Sequence, residues 1–380
     1  MTSRSASAES SPLEVFLVAL KLGVSSFGGP VAHLGYYRRE YVERRRWVDE
    51  ETFADIVALC QFLPGPASTQ TSIAIGLLRA GPLGAFAAWL GFTLPSALLM
   101  VAFASAVDRL PFEAGWLFAI LALVAFVVVA IAVWRMARAL AWDLRRGAIA
   151  LAAAAAVLAL PGSAVQVAVI ALGGVIGSRF LPAPAMSTRA HVGVPIGRRT
   201  AAACFALFLA LLIALPIGRA LTEDGVIAPN GELVLFDAFY RSGALVFGGG
   251  HVVLPLLHEE VVTRGWVDED HFVAGYGAAQ ALPGPLFTFA AYLGATIGPP
   301  IGGLDSGGVW PPGGVTGALI ATVAIFLPGF LLVFAALPSW GALRTRPWAQ
   351  RTLRGVNAAV VGLLLAALVG IARAIASTLI

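Results

Sequence analysis

Five apolar runs set the terms on which this chain can fold. Residues 82–107, 112–134, 200–217, 315–337 and 355–377 are almost free of charge. Each approaches or exceeds the ~20 residues that an α-helix needs to cross the hydrocarbon core of a bilayer. Charged residues make up 12% of the chain, where soluble domains carry about a quarter. The expected fold class is an all-α polytopic membrane protein. Cys60 and Cys204 both fall in apolar segments, which argues against a disulfide framework or a metal cluster. The polar stretch 1–11 reads as a disordered tail, and no separate signal-peptide core precedes the first helix.

The apolar pattern is broken twice in the same way, by QFLPGP at 61–66 and QALPGP at 280–285. A Pro-Gly-Pro triplet is incompatible with a helix interior. The breaks belong to a longer duplication. FGGP at 27–30 answers FGGG at 247–250, WVDEETF at 47–53 answers WVDEDHF at 266–272, and LP at 94–95 answers LP at 327–328. The first three matches lie at offsets of 219 or 220 and the last at 233, which places an insertion in the Gly/Pro-rich stretch 298–314. The chain therefore divides into a tail (1–11), a first repeat (12–140), a hydrophobic bridge (141–231) and a second repeat (232–380).

Charge placement orients the repeats. Arg38, Arg39, Arg44, Arg45 and Arg46 crowd the first copy of one loop (36–51), whereas its second copy (255–270) holds only Arg264. Basic residues mark the cytoplasmic side, so the two copies are expected on opposite faces, as inverted-topology repeats. Arginine-rich segments near 135–146, 179–199 and 344–354 mark further inside loops. This bookkeeping makes 12–35, 52–80, 233–257 and 271–297 re-entrant hairpins, each turning near its Gly or Pro motif. The competing reading is ordinary kinked pairs of spanning helices. Segments 147–160 and 164–178 form two short helices about Pro161-Gly162. The N-terminus is expected in the cytoplasm and the C-terminus outside.

Broken helices in mid-membrane present free N–H groups and a positive dipole end, a ready anion site. The candidate substrate-binding residues follow from this: Pro64, Gly65, Pro66, Ser68 and Thr69 at the first tip, and Pro283, Gly284, Pro285 and Thr288 at the second. Gly28, Gly29, Gly248 and Gly249 allow close backbone approach, although glycine is equally common at helix packing interfaces. Lys21 and Arg241 are repeat-equivalent cations inside apolar segments, so they are functional candidates; snorkelling to the interface is the alternative. Glu14 and Asp237 are within reach to neutralise them. His33 and His251 sit near equivalent tips at unequal spacing, as hydrogen-bonding or substrate-contacting groups. Gln61 and Gln280 are equivalent and suit either an oxyanion or the carbonyls freed by the prolines. Trp47 and Trp266 read as interfacial belt residues and Arg79 as an anchor.

FGGP followed by His33, paired with Q-x-L-P-G-P and repeated in the second half, resembles the chromate ion transporter family in its long two-repeat form. The resemblance spans most of the chain outside the bridge. It implies export of chromate from the bacterial cytoplasm, with sulfate as a related oxyanion, and fused, oppositely oriented halves. The second copy departs from the pattern in FGGG and in a histidine two residues earlier. No Walker-type loop is present, so a secondary mechanism is expected. The reading implies no cofactor, no metal and no nucleic-acid partner; a lipid bilayer surrounds the chain, and a homodimer is compatible with it. A sulfate importer or exchanger and a passive anion channel are the rival functions. An oxyanion reductase lacks its CxxC motif, cluster spacing and paired histidines.

Overall fold

The computed structural model describes residues 11–107, 115–160, 162–182, 196–226, 228–247, 252–298, 309–340 and 346–379, and every regular element among them is helical. The first repeat opens with α1 (Pro12–Ser25) and α2 (Gly29–Tyr37), which runs on into a π-helical turn (Arg38–Arg44). Then come α3 (Glu50–Phe62), α4 (Ala67–Val107) and α5 (Gly115–Leu140). The bridge supplies α6 (Leu144–Ala159), α7 (Ser163–Phe180) and α8 (Arg198–Glu223). The second repeat holds α9 (Gly231–Ala244), α10 (Val253–Val261), α11 (Glu269–Ala281) and α12 (Phe289–Thr296), then α13 (Gly314–Ala336) and α14 (Pro347–Leu379). α4 leaves helical geometry at Ala80 and Gly81, so it comprises a short arm, 67–79, and a long arm, 82–107.

Among the described residues, four helices are long and apolar enough to cross a membrane, within 67–107, 198–223, 314–339 and 347–370. Most of the others are too short. α1, α3, α11 and the short arm of α4 have 13 or 14 residues, about 20 Å at 1.5 Å per residue, against a core of about 30 Å. These arms fold back on one another. The Cys60 thiol in α3 meets Thr71 in α4. The Tyr292 hydroxyl donates to the His271 carbonyl at 2.9 Å, joining α12 to α11. Ion pairs from Arg45 to Glu14 and from Arg241 to Glu260 join the first pair of helices in each repeat. Each of the four segments is therefore built of helical arms that pack back on one another, as a hairpin requires.

The returning arm of the first hairpin is longer than the sequence suggested, because 38–44 is helical and not part of a loop. Asp49 and Asp268, at equivalent positions beside the tryptophans, cap α3 and α11 by accepting from the Thr52 and His271 amides. Arg79 lies over the Trp47 ring at 5.5 Å, and Arg264 over Trp266 at 5.9 Å.

Packing repeats along with sequence. α1 lies along the long arm of α4, and α9 lies along α13. Gly23 and Gly243 occupy equivalent places at these crossings. A Cβ on Gly23 would sit 2.7 Å from the Phe92 carbonyl oxygen, and one on Gly243 would strike the Ile325 carbonyl. A second crossing is also duplicated: Gly76 faces Gly84, and Gly294 faces Gly317. Small residues let helix backbones touch, which is a main source of helix association in lipid. Gly23→Ala and Gly243→Ala should each destabilise the protein by about 1–3 kcal/mol, seen as a lower melting temperature in detergent. Gly35→Ala, with nothing within 4 Å, should leave melting unchanged or raise it.

Candidate functional site

The tips of the four hairpins meet. The Gly65 N–H donates to the Val246 carbonyl at 2.7 Å, and the Gly284 N–H donates to the Ser26 carbonyl at 2.9 Å. Gly65 and Gly284 are equivalent, and so are Ser26 and Val246. The two bonds are thus one contact made twice, each Pro-Gly-Pro tip closing on the other repeat's first hairpin. Only glycine adopts such backbone comfortably, with φ of +119° at Gly65 and +104° at Gly284. Each tip also lands beside the helix proline of the other repeat's spanning helix. Gly65 approaches Gly329, which follows Pro328 in α13; Gly284 approaches Ser96, which follows Pro95 in α4.

The first tip is polar. Ser68, Thr69, Gln70, Thr71 and Ser72, the opening of α4, are all buried. The buried His33 ring lies with Nδ1 3.3 Å from the Ser68 hydroxyl and edge-on to Phe92. The Gln70 amide donates to the Pro64 carbonyl at 2.8 Å, satisfying an acceptor that the broken helix leaves open. Among the described residues, the hydroxyls of Ser26, Thr69 and Thr93 and the amide oxygen of Gln70 are buried without a hydrogen-bond partner. Gly28 caps α2 and Gly29 begins it. Gln61 ends α3 on an exposed position, while Gln280 hydrogen-bonds Tyr276. At the second tip, the Thr288 hydroxyl donates to the Pro285 carbonyl at 2.8 Å and lies 2.6 Å from the Ser96 hydroxyl. Gly248, Gly249 and His251 lie outside the described residues.

Lys21 and Arg241 are not bare cations. Lys21 is 3.3 Å from Glu40, which also takes Arg44 and Arg45; Arg45 in turn reaches Glu14. Arg241 binds Asp237 and Glu260, and these two carboxylates share Arg219 of α8. Glu40 and Glu260 are themselves separated by 220 residues, so each repeat carries the same cation–carboxylate pair. That spacing was legible in the sequence. What hid the partners was the 19 residues between Lys21 and Glu40, which the hairpin closes. Asp237 pairs with Arg241 as its helical spacing suggests, but Glu14 serves Arg45 and not Lys21. Burial opposes ionisation of Glu40, and hydrogen bonds from Arg45 and Lys21 outweigh it, holding the carboxyl below the usual range.

The second cluster is the drier one: Asp237, Glu260 and Arg219 are buried, whereas the Lys21 side chain is 52% exposed. Arg219 lies in the bridge and carried no repeat signal, so sequence reasoning missed it.

The family whose members are described as chromate transporters matches residues 13–178 and 233–380. The chain belongs to the chromate transporter family. A chromate transport protein of Pseudomonas aeruginosa is 29% identical over 95% of this chain and 81% of its own length. A probable chromate transport protein of Synechococcus elongatus is 28% identical over 93% of this chain and 83% of its own. A chromate transport protein of Cupriavidus metallidurans is 26% identical, covering 95% and 82%. No solved structure matches. The family match takes in both hairpin pairs and both ion clusters except Arg219, which lies in the unmatched stretch between the two segments.

The clusters predict unequal responses. Arg241→Ala leaves the buried Asp237 with Arg219 alone and Glu260 with Arg219 and Arg264; one guanidinium fewer for two buried carboxylates should cost about 3 kcal/mol, read as lost monodisperse protein. Lys21→Ala leaves Glu40 two arginines and should cost less than about 1 kcal/mol.

Proposed function

We propose that the protein is a secondary transporter that exports chromate, or a related tetrahedral oxyanion, from the cytoplasm across the inner membrane. The substrate occupies a site where the four tips converge, and alternating access exposes that site to each face in turn. The observation that carries this reading is the first Pro-Gly-Pro tip. There a helix begins inside the protein, with its dipole and a run of buried hydroxyls turned to the point of convergence. Family membership and the named relatives support chromate as the substrate, with sulfate as its nearest chemical analogue.

The sequence candidates enter this reading with different parts. Residues of the tips face the anion. Lys21 and Arg241, already compensated by carboxylates, act as fixed members of two charge clusters that flank the path. The five-to-one arginine asymmetry between 36–51 and 255–270 supports inverted repeats, a cytoplasmic N-terminus and an external C-terminus.

A dianion leaving an inside-negative cell moves down the electrical gradient. Two charges across ~100 mV supply roughly 4–5 kcal/mol, about a thousandfold in concentration, without ATP.

Proteoliposomes loaded with chromate and clamped at defined potentials test the proposal. Efflux should saturate with chromate, rise with inside-negative potential and fall when sulfate competes. Efflux that ignores the potential would defeat electrogenic export, and efflux that never saturates would favour a channel. Single cysteines in 36–51 and 255–270 should label from opposite faces; labelling from one face would defeat the inverted arrangement.

A further inference from the structure

The crossed tips make the two repeats equal in backbone, yet their side chains at the centre are not equal. Ser26 and His33 of the first hairpin correspond to Val246 and Val253. Ser68 and Gln70 of the first Pro-Gly-Pro helix correspond to Phe287 and Phe289, both buried. Thr93, two residues before Pro95 in α4, corresponds to the buried Phe326 of α13. Thr69 alone keeps a hydroxyl in both copies, as Thr288. That second hydroxyl has no proton to spare, because it already donates to the Pro285 carbonyl.

We infer that the oxyanion is bound by neutral hydroxyl donors of the first repeat only, those of Ser26, Thr69 and Thr93, and that the second repeat supplies an apolar wall. The inference rests on the function proposed above and narrows its site. Three observations carry it. The three oxygens are buried and unpartnered among the described residues, and a buried hydroxyl without a partner is costly enough to demand an explanation. Each lies at the convergence: Ser26 lends its carbonyl to the Gly284 tip, Thr69 sits in the first turn after Pro66, and Thr93 lies on the face of α4 that carries Ser96, three residues on, against which the Gly284 tip packs. The charged side chains nearby are spent on one another, so neutral donors and the helix dipole remain for the anion.

Gln70 plays a different part. One N–H of its amide is held by the Pro64 carbonyl, and its unpartnered atom, the amide oxygen, is an acceptor that does not suit an anion. It is a positioning residue that braces the tip. Within the first repeat, His33 is a positioning residue: its ring is held between the Ser68 hydroxyl and the Ser26 backbone.

Chromate binding to the purified full-length protein in detergent, followed by titration calorimetry, tests the assignment. Ser26→Ala, Thr69→Val and Thr93→Val should each weaken binding about tenfold or more, the loss of one hydrogen bond to a charged ligand. Thr69→Ser and Thr93→Ser keep the hydroxyl and should bind like the unmodified protein, which separates donor loss from disturbed packing. Thr322→Val, which removes a buried second-repeat hydroxyl bonded within its own helix, should change affinity less than about twofold on the same scale. Near-normal binding by the three donor-loss variants, or failure of the serine variants to restore it, would overturn the assignment. Unmodified protein that neither binds nor transports chromate would instead overturn the proposed function.

Discussion

Backbone amides buried in a bilayer have no water to turn to, and the structure is organised around that fact. A Pro-Gly-Pro break strips helical partners from several N–H and C=O groups at once. Here each orphaned glycine amide finds the carbonyl of a hairpin belonging to the other repeat, Gly65 on Val246 and Gly284 on Ser26. The Pro64 carbonyl is taken by the Gln70 side chain. Irregular chain can therefore sit deep in the protein with the Gly65 and Gly284 amides and the Pro64 carbonyl all paired. The same closure binds the repeats together at their centre, while paired glycines such as Gly76 and Gly84 hold each short arm against its spanning helix.

Around this shared skeleton the copies have diverged in chemistry. The first repeat keeps serine, threonine and histidine at its tip, and the second fills the matching volume with phenylalanine and valine. The charge clusters diverge too. Glu40 gathers Lys21, Arg44 and Arg45 near the surface, whereas Glu260 and Asp237 hold Arg219 and Arg241 in a drier setting. One cation of the second cluster, Arg219, comes from α8, which covers α9 and α13; the equivalent side of α1 leaves Leu13, Leu17 and Val24 exposed.

Much of the fold was legible in the sequence because proline and glycine act locally. The Pro-Gly-Pro breaks and the short helices about Pro161-Gly162 follow from backbone rules that need no tertiary context. The hairpin character of 52–80 and 271–297 followed from the placement of the arginines on the loops that flank them. The site was less legible. Lys21 looked unpartnered because Glu40 lies beyond a turn, and only folding shows the two side by side. Arg219 belongs to no repeat, so no internal comparison could raise it. Ser26 and Thr93 are ordinary residues in an apolar chain; their burial without partners is a property of three-dimensional packing alone.

The crossed hydrogen bonds make each repeat complete the other. A single repeat on its own would carry one Pro-Gly-Pro amide with nothing to close it and one first-hairpin carbonyl with nothing to receive. The α6–α8 connector plays no part in either bond. Severed halves, made as separate polypeptides in one membrane, would then be driven to reassociate by the need to cap these exposed backbone groups, and the covalent link would serve mainly to keep the stoichiometry at one to one.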